Sequence, residues 1–575
     1  MRVVRACADA GLESVAVFSP EDRDAAHVRL ADSAYALDGV TVTQTYLSCE
    51  AYLAAAAKSG ADAVHPGYGF LAESPAFARA VQQAGLTWIG PSPEALETLG
   101  SKLAARALAA SVGAPLVPAS AVLRGGDDLA RFAGDHGLPV LIKAAHGGGG
   151  RGMRVLHHLA GADEALAGAQ REALASFGNA DCFAETYLQR PHHIETQCLA
   201  DRHGTVAVVS TRDCTVQRRH QKLIEEAPAP GLDQDQLDQI TTASRRILQA
   251  AAYQGAATVE FLVGPDGAVY FIEVNPRLQV EHPVTEEVTG VDLVREQFRI
   301  ADGQALGYDS VPVSGHAIEF RLNAEDPANG FLPAPGTITA LRLPGGPGVR
   351  CDFGYQGGDT LTGSYDSLIG KLIVHGQDRA QALERARRAL REFQADGVAT
   401  TCGFHCAVVD SPDFAALTIH TGWLEAEFAP VIAALPAATP HDAALPEPAA
   451  TARMVVEVDG KRLEVVVPSA LVATAAPASG PATPRRTTPK PAGTKLGQGA
   501  DGQVVAPMQG TVVQVVAKAG QTVSQGEVLV VLEAMKMEQP LAAPHDGVVT
   551  TISATPGERV LAGQVLAVVQ AASAE

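Results

Sequence analysis

Glu260 and Glu273 stand on either side of GPDG (264–267) within ATVEFLVGPDGAVYFIEV (257–274). Both arms read as strands, so the stretch predicts a hairpin. With Asp266-Gly267 as a two-residue loop, Glu260 faces Glu273 directly. With Pro265-Asp266 as the loop, they are diagonal neighbours. Either register puts two carboxylates on one face, about 5–8 Å apart. Acids that close repel unless a cation lies between them, and a hard ion such as Mg²⁺ bridging phosphates suits oxygen ligands. From Glu273 the alternation runs on through Asn275, Arg277, Gln279 and Glu281, with Val274, Pro276, Leu278 and Val280 on the other side. A half-exposed strand with a polar outer face gives the same alternation.

A second candidate is HGGGGRGMR (146–154), after the apolar strand PVLIKA (139–144). It matches G-x-G-x-x-G, a weak signal alone, and Glu172 falls near the spacing of a ribose-binding acid. A dinucleotide fold would start a helix here, whereas MRVLHH (153–158) reads as another strand. A strand–loop–strand cover over phosphates fits better, its backbone N–H groups facing the anion, with Lys143 adding a point charge. A surface turn is the plainer alternative. QRRHQK (217–222), beside Glu225 and Glu226, reads most simply as a solvated charge run. Lys536 stands between two methionines in EAMKMEQP (533–540), a protruding turn, where it is accessible to modification and where exposed thioethers imply a partner surface. Cys402, His405 and Cys406 lack a second ligand pair at metal spacing and read as buried structural residues. No G-x-x-x-x-G-K-[ST] loop occurs.

The elements that must position these residues fall into successive segments. The chain has 575 residues, a formal net charge of −20 and 46% apolar residues. That length allows three or four domains, and the composition excludes wholesale disorder. The acidic balance argues against a nucleic-acid surface. No apolar run is long enough to span a membrane, MRVVRACADAG reads as an amphipathic helix rather than a secretory signal, and eight Cys are too few for a disulfide scaffold; a cytoplasmic location is the default. Residues 1–100 alternate helices with short strands (14–18, 61–66, 86–91), the rhythm of a doubly wound α/β domain. Residues 101–310 form a longer α/β stretch and 311–430 an α+β one with a helix at 378–394. Residues 431–502 are rich in Pro and Ala, with a strand-like island at 453–467. If unstructured, 470–500 would span roughly 30 Å, leaving the last segment mobile. Residues 503–575 hold an internal duplication of period 37: Ala506, Gly510, Val512, Gly520, Val523, Gly526 and Leu529 recur as Ala543, Gly547, Val549, Gly557, Val560, Gly563 and Leu566. Two β-rich halves with turn glycines predict a small flattened barrel.

Several motifs together resemble one family. HPGYGFLAES (65–74), IKAAHGGGGRGM (142–153), RDCTVQRRHQKLIEEAPAP (212–230), FIEVNPRLQVEHPVTE (271–286), RLNAEDP (321–327) and YDSLIGKL (365–372) are similar to biotin carboxylase, an ATP-grasp enzyme, and EAMKM resembles the attachment site of a biotin carboxyl carrier domain. The whole is similar to the biotin-bearing α subunit of bacterial acyl-CoA carboxylases of the acetyl-/propionyl-CoA type. The resemblance implies an ATP-grasp domain at 101–310 with a lid at about 117–187, a biotin carboxylase C-terminal domain at 311–430 and an all-β biotinyl domain at 503–575. It also implies a reaction in which ATP and bicarbonate carboxylate biotin through carboxyphosphate. Carried over by motif, Lys102, Lys143, Gly149, Gly150, Met153, Glu185, Leu188, His193, Gln217 and His220 would hold ATP. Glu260 and Glu273 would bind Mg²⁺ or Mn²⁺ with Asn275 assisting, and Lys222, Arg277, Gln279 and Val280 would hold bicarbonate. Glu281 would be the general base, Arg321 would stabilise the biotin enolate, and Lys536 would carry biotin. Implied partners are a carboxyltransferase β subunit, a biotin protein ligase and further copies of the chain in a hetero-oligomeric complex, with no nucleic acid or membrane.

Two departures accompany the resemblance. The family's opening strand and N-R-G-E-I-A turn are absent before MRVVRAC, so the first sheet is expected to lack its founding strand, as a truncated or internal start would produce. The 431–502 interval is too short for the β-barrel-and-helix domain of mammalian-type relatives, which favours an actinomycete-like arrangement with 453–467 as the docking element. Rival readings are another ATP-grasp ligase, such as one making carbamoyl phosphate, and a non-catalytic biotin carrier; lipoyl attachment is disfavoured by M-K-M.

Overall fold

A computed structural model describes residues 1–145, 153–436, 451–458, 461–468, 502–507, 509–534, 537–561 and 563–571. The chain opens with the amphipathic helix Arg2–Ala10, anchored by Arg2 to Glu286 (2.8 Å) and Asp292 (2.5 Å). The α/β region that follows holds its parallel strands as two separate pairs, Val15–Phe18 with Ser33–Ala36 and Ala63–Val64 with Thr87–Trp88.

The site is built on an eight-stranded sheet in which every neighbouring pair is antiparallel. Its order is Val269–Asn275, Gly255–Val263, His192–Ala200, Val206–Arg218, Gln221–Ala227, His316–Asn323, Leu368–Gly376 and Val349–Phe353. One sheet thus joins the 101–310 and 311–430 segments. Its middle strands are covered on both faces, so their polar residues, Glu195, Gln197, Arg212 and Glu225 among them, are buried along with the apolar ones and need partners. Cys198, Val208 and Ala257 belong to one core cluster, while their chain neighbours Leu199, Val209 and Ala256 belong to the opposite one, as the two-residue period of a strand requires. The first cluster is closed by the helix Gln234–Ala250, which buries Ile240, Ala243, Ile247 and Leu248 on one stripe. A capping box starts this helix: Asp233 accepts from the Gln236 amide and the Gln236 side chain accepts from the Asp233 amide.

The strands Val140–Ala144, Arg154–Leu156 and Cys182–Thr186 form a small antiparallel sheet, packed with the helices Gly126–His136 and Ala162–Phe177. The expected strand on either side of the glycine loop is present; the loop itself, 146–152, lies outside the described residues. Residues 453–467 fall within a hairpin, Thr451–Val458 paired with Lys461–Pro468.

The last segment is two four-stranded sheets packed around Val512, Leu529, Val549 and Leu566. The repeat offset of 37 carries Gly510–Val515 onto Gly547–Ile552, Thr522–Val523 onto Arg559–Val560 and Val528–Ala534 onto Val565–Ala571. The duplication in the sequence is therefore a twofold relation between the sheets. Replacing Asp233 by Ala removes the helix cap beneath the site and should lower stability by about 1 kcal/mol, read as a lower midpoint of denaturant unfolding; an unshifted midpoint would contradict the role given to the cap.

Candidate active site

Glu260 and Glu273 are direct cross-strand partners. The loop that joins their strands differs from both two-residue expectations. Val263 pairs with Val269, and Gly264 to Ala268 form the connection, with the Gly264 amide donating to the Ala268 carbonyl and the Gly267 amide to the Gly264 carbonyl. In that register alone Glu260 would oppose Ile272. A β-bulge between the Glu260 and Phe261 pairs inserts one residue and swings Glu273 into place. The polar row continues through the sheet, because Glu260 pairs with Glu195 and Glu195 with Arg212. Three adjacent rungs therefore present carboxylates, an arrangement that repels unless cations are built in.

Lys222 is the cation at the centre. Its ammonium donates to Glu195 Oε2 (2.6 Å), Glu260 Oε1 (2.9 Å) and Glu281 Oε1 (2.7 Å), so three N–H donors meet three acids. Burial disfavours its charge, but Cys214 and the three carboxylates beside it outweigh burial and hold the ammonium well above its ordinary range. Glu281 is wholly buried and also accepts from Arg321 (2.7 Å). Burial disfavours the Glu281 carboxylate, yet Lys222, Arg321 and Arg212 hold it well below the usual range. Arg212, without solvent exposure, bonds Glu195, Gln197 (2.7 Å), Thr285 (3.0 Å) and Thr258 (3.0 Å).

The cluster opens into one cleft of about 2110 Å³. Glu260, Glu273, Asn275, Lys222, Arg277, Gln279, Val280 and Arg321 line it, as do Lys102, Lys143, Met153, Glu185, Leu188, His193, Gln217 and His220. Lys143 donates to Glu185 (2.9 Å), which also accepts from Arg106 (2.7 Å). His193 Nε2 is 3.0 Å from Glu260, the Asn275 side chain donates to Glu260 (2.8 Å), and Lys102 is 3.5 Å from Glu273. Glu260, Glu273 and Asn275 line the same cleft, and their oxygen-bearing side chains are of the kind a hard divalent cation takes. The cation position among Glu195, Glu260 and Glu281 belongs to Lys222.

Several expectations are corrected. Strand alternation stops at Asn275; beyond it Leu278 and Gln279 are both buried. Glu281 does not line the cleft and sits behind its wall, at the cap position of the helix His282–Thr289. The charge run at 217–222 is solvated only in its middle: Arg219, His220 and Gln221 are exposed, while Gln217 is buried and Lys222 nearly so. Glu172 sits on the helix Ala162–Phe177, 3.8 Å from Arg154. Gly149, Gly150 and Lys536 lie outside the described residues; the flanking strands pair up to Ala534 with Met537. The CGFHC segment is structural, as its residue types suggested: His405 Nε2 lies 2.7 Å from the Arg321 carbonyl, which also accepts from Thr401 (2.9 Å). Burial lowers His405 to about 4, so its ring is neutral.

Sequence reasoning missed Glu195, Arg212, Lys371 and Arg106. For the first two a signal existed, since each is a charge within a strand-like segment that ends in apolar residues, HHIETQCLA and VAVVSTRDCTV; such a residue is buried only with a partner. Lys371 donates to the Val280 carbonyl (2.5 Å), which fixes the backbone beside Glu281.

Comparison with known proteins covers nearly all of these elements. Residues 1–96 match the biotin carboxylase N-terminal domain, 101–308 the carbamoyl-phosphate synthase L chain ATP-binding domain, 319–426 the biotin carboxylase C-terminal domain and 502–569 the family described as biotin-requiring enzyme. The biotin-dependent acyl-coenzyme A carboxylase alpha3 subunit of Mycobacterium leprae is 50% identical over 94% of this chain and 92% of its own. This chain belongs to the biotin carboxylase family. The biotin carboxylase of a Nostoc species is 46% identical over 74% of this chain and 96% of its own length. The solved biotin carboxylase of Campylobacter jejuni superposes with a TM-score of 0.72 at 39% identity, covering 74% of this chain and 95% of that one. The carboxylase is thus an ATP-grasp enzyme joined to a biotinyl domain. No helix among its described residues is long and apolar enough to cross a membrane.

The carboxylase holds a second acid pair behind the first. Glu225 and Glu319 are cross-strand partners, both without exposure. Burial pushes the Glu319 carboxyl up to about 8 against the pull of Lys371, 3.8 Å away. A carboxyl raised in the folded state from 4.5 stabilises the fold most below 4.5, and that stability is lost as pH rises through about 8. Glu319→Gln removes the linkage. Its melting temperature should fall less than that of the parent between pH 5 and pH 8.5; equal falls would contradict the assignment.

Proposed function

We propose that the chain carboxylates biotin carried on its own Lys536, using ATP and bicarbonate, and passes the carboxyl group to a separate carboxyltransferase β subunit acting on a short-chain acyl-CoA, acetyl-CoA or propionyl-CoA. The observation that carries the reading is one continuous cleft lined by Lys143 and Glu185, by the Glu260–Glu273 pair and by Lys222 and Arg321, with Glu281 bonded to the last two from behind the wall. Lys102, Lys143, Met153, Glu185, Leu188, His193, Gln217 and His220, with Gly149 and Gly150, are assigned to the nucleotide. Lys143 supplies a point charge to phosphate and Glu185 fixes its direction. Glu260, Glu273 and Asn275 would hold Mg²⁺ or Mn²⁺, which when bound neutralises charge on the transferring phosphoryl group. Lys222, Arg277, Gln279 and Val280 are assigned to bicarbonate, Glu281 to its deprotonation, and Arg321 to the negative charge that develops on the biotin ureido oxygen.

The hydrogen bonds add a condition to this scheme. A base held by neighbouring cations far below its ordinary range accepts a proton poorly. An anion entering beside Lys222 competes for that ammonium, and a ureido oxygen competes for Arg321. Each exchange withdraws a donor from Glu281 and raises its proton affinity, so the substrates themselves activate the base. The β subunit and the acyl-CoA rest on the mycobacterial relative, whose name states an acyl-coenzyme A carboxylase subunit; a biotin protein ligase would load Lys536, and assembly with further copies of the chain belongs to the same proposal.

Bicarbonate-dependent ATP hydrolysis with free biotin is the direct assay. Glu273→Gln, which keeps shape and removes charge, should lower it about 100-fold, while Lys536→Arg should abolish streptavidin labelling of the chain and leave free-biotin turnover intact. Undiminished turnover in Glu273→Gln would overturn the reading.

A further inference from the structure

We infer that one face of the biotinyl domain, carrying Gln509, Arg559 and Leu561, is a docking face for the mouth of the carboxylase cleft, and that its receptor is the patch made by Glu21 and Gly363-Ser364; this rests on the carboxylase reading above. The Arg559 guanidinium donates to Ser364 Oγ (2.9 Å) and lies 3.7 Å from Glu21 Oε1. The Gln509 side chain packs over Gly363, where an added Cβ would come within 2.8 Å of Gln509 Cγ. Leu561, 70% exposed, lines the same cleft, as does Glu533 three residues before Lys536.

The internal repeat supplies an independent argument. The two halves of the domain are related by an offset of 37, so each surface has a mate that the same fold could present. The mates of Gln509, Arg559 and Leu561 are Asp546, Thr522 and Ser524. The barrel core keeps its twofold likeness, with Val512, Val523 and Leu529 matched by Val549, Val560 and Leu566, whereas this surface breaks it. Segment 502–575 holds three cations, Lys518, Lys536 and Arg559, and Arg559 lies against the acidic patch. Glu21 and Asp22 both line the cleft mouth. The mate face would set Asp546 where Gln509 now sits and give the patch no cation, so complementarity selects one of two faces with the same fold.

The receptor is pre-organised. Glu21 comes from the first α/β region and Ser364 from the loop before the strand Leu368–Gly376. Thr362 Oγ1 donates to Glu21 (3.1 Å), and the Tyr365 hydroxyl donates to Ser19 Oγ (2.7 Å), tying the two segments together. A receptor already held in place loses little entropy on docking. An exposed ion pair contributes weakly, which suits a carrier that must leave after each turnover.

The test uses the full biotinylated chain with two readouts: the single-turnover rate of ¹⁴C-bicarbonate incorporation onto the tethered biotin, and ATP hydrolysis driven by free biotin. Arg559 is 60% exposed, so Arg559→Glu does not threaten the fold. It should slow tethered carboxylation about tenfold, since reversal turns attraction into repulsion, and leave free-biotin hydrolysis within about twofold. The double variant Glu21→Arg with Arg559→Glu should recover most of the tethered rate. An unchanged tethered rate in Arg559→Glu, equal losses in both assays, or no recovery in the double variant would overturn the docking face. Absence of free-biotin hydrolysis in the parent would instead overturn the carboxylase reading on which it stands.

Discussion

A single ammonium group holds the site together. Glu273, Glu260 and Glu195 occupy successive rungs of one sheet, and Glu281 approaches from the helix beside it. Left alone, these acids would repel or take up protons. Lys222 meets three of them, and Arg212 and Arg321 close the lattice from below and from the side. Such a lattice contributes little net stability, because desolvating the charges offsets their attraction, yet removing one member leaves an uncompensated buried charge at a cost of about 3–5 kcal/mol. What it provides is two carboxylates, Glu260 and Glu281, held below the usual carboxylate range against burial by the neighbouring cations.

The sheet supplies the precision this requires. Its strands cross from the ATP-binding segment into the C-terminal one, so the metal-facing acids and Arg321 belong to one hydrogen-bonded body. A bulge aims Glu273 and the Thr401–His405 pair fixes the backbone of Arg321. By contrast the parts that must admit and release substrates stand off the sheet: the small three-stranded unit over the nucleotide end and the biotinyl barrel at the mouth. Rigid chemistry and exchangeable delivery are thereby separated within one chain, and the weak polar contact between Arg559 and the Glu21–Ser364 patch is the kind of joint that separation calls for.

Much of this was legible in the residues. The glutamate pair, the strands around the glycine loop, the helix at 378–394 and the repeat all follow from local periodicity and turn chemistry, and the repeat period proved to be the symmetry operator of the barrel. The hairpin register was not legible, because a bulge is a decision of the whole sheet rather than of GPDG. Lys222 was hidden in a basic run whose commonest fate is solvation; only the approach of Glu195 and Glu281, distant in sequence, makes it buried. Glu281 fitted a strand pattern but sits at a helix start, since Pro283 permits a first helical turn that alternation cannot foresee. Lys371 is itself a charge inside an apolar strand, LIGKLIV, but nothing local names its partners, the Val280 carbonyl and Glu319 on other elements.

The central claim is that Lys222 both keeps the acid lattice charged and receives bicarbonate. Lys222→Gln tests it most directly, with nucleotide affinity measured beside bicarbonate-dependent ATP hydrolysis. The account predicts a folded chain in which hydrolysis falls about 100-fold or more and ATP binds more weakly in the presence of Mg²⁺ than it does to the parent. Hydrolysis at the parent rate, with the same dependence on bicarbonate, would contradict it.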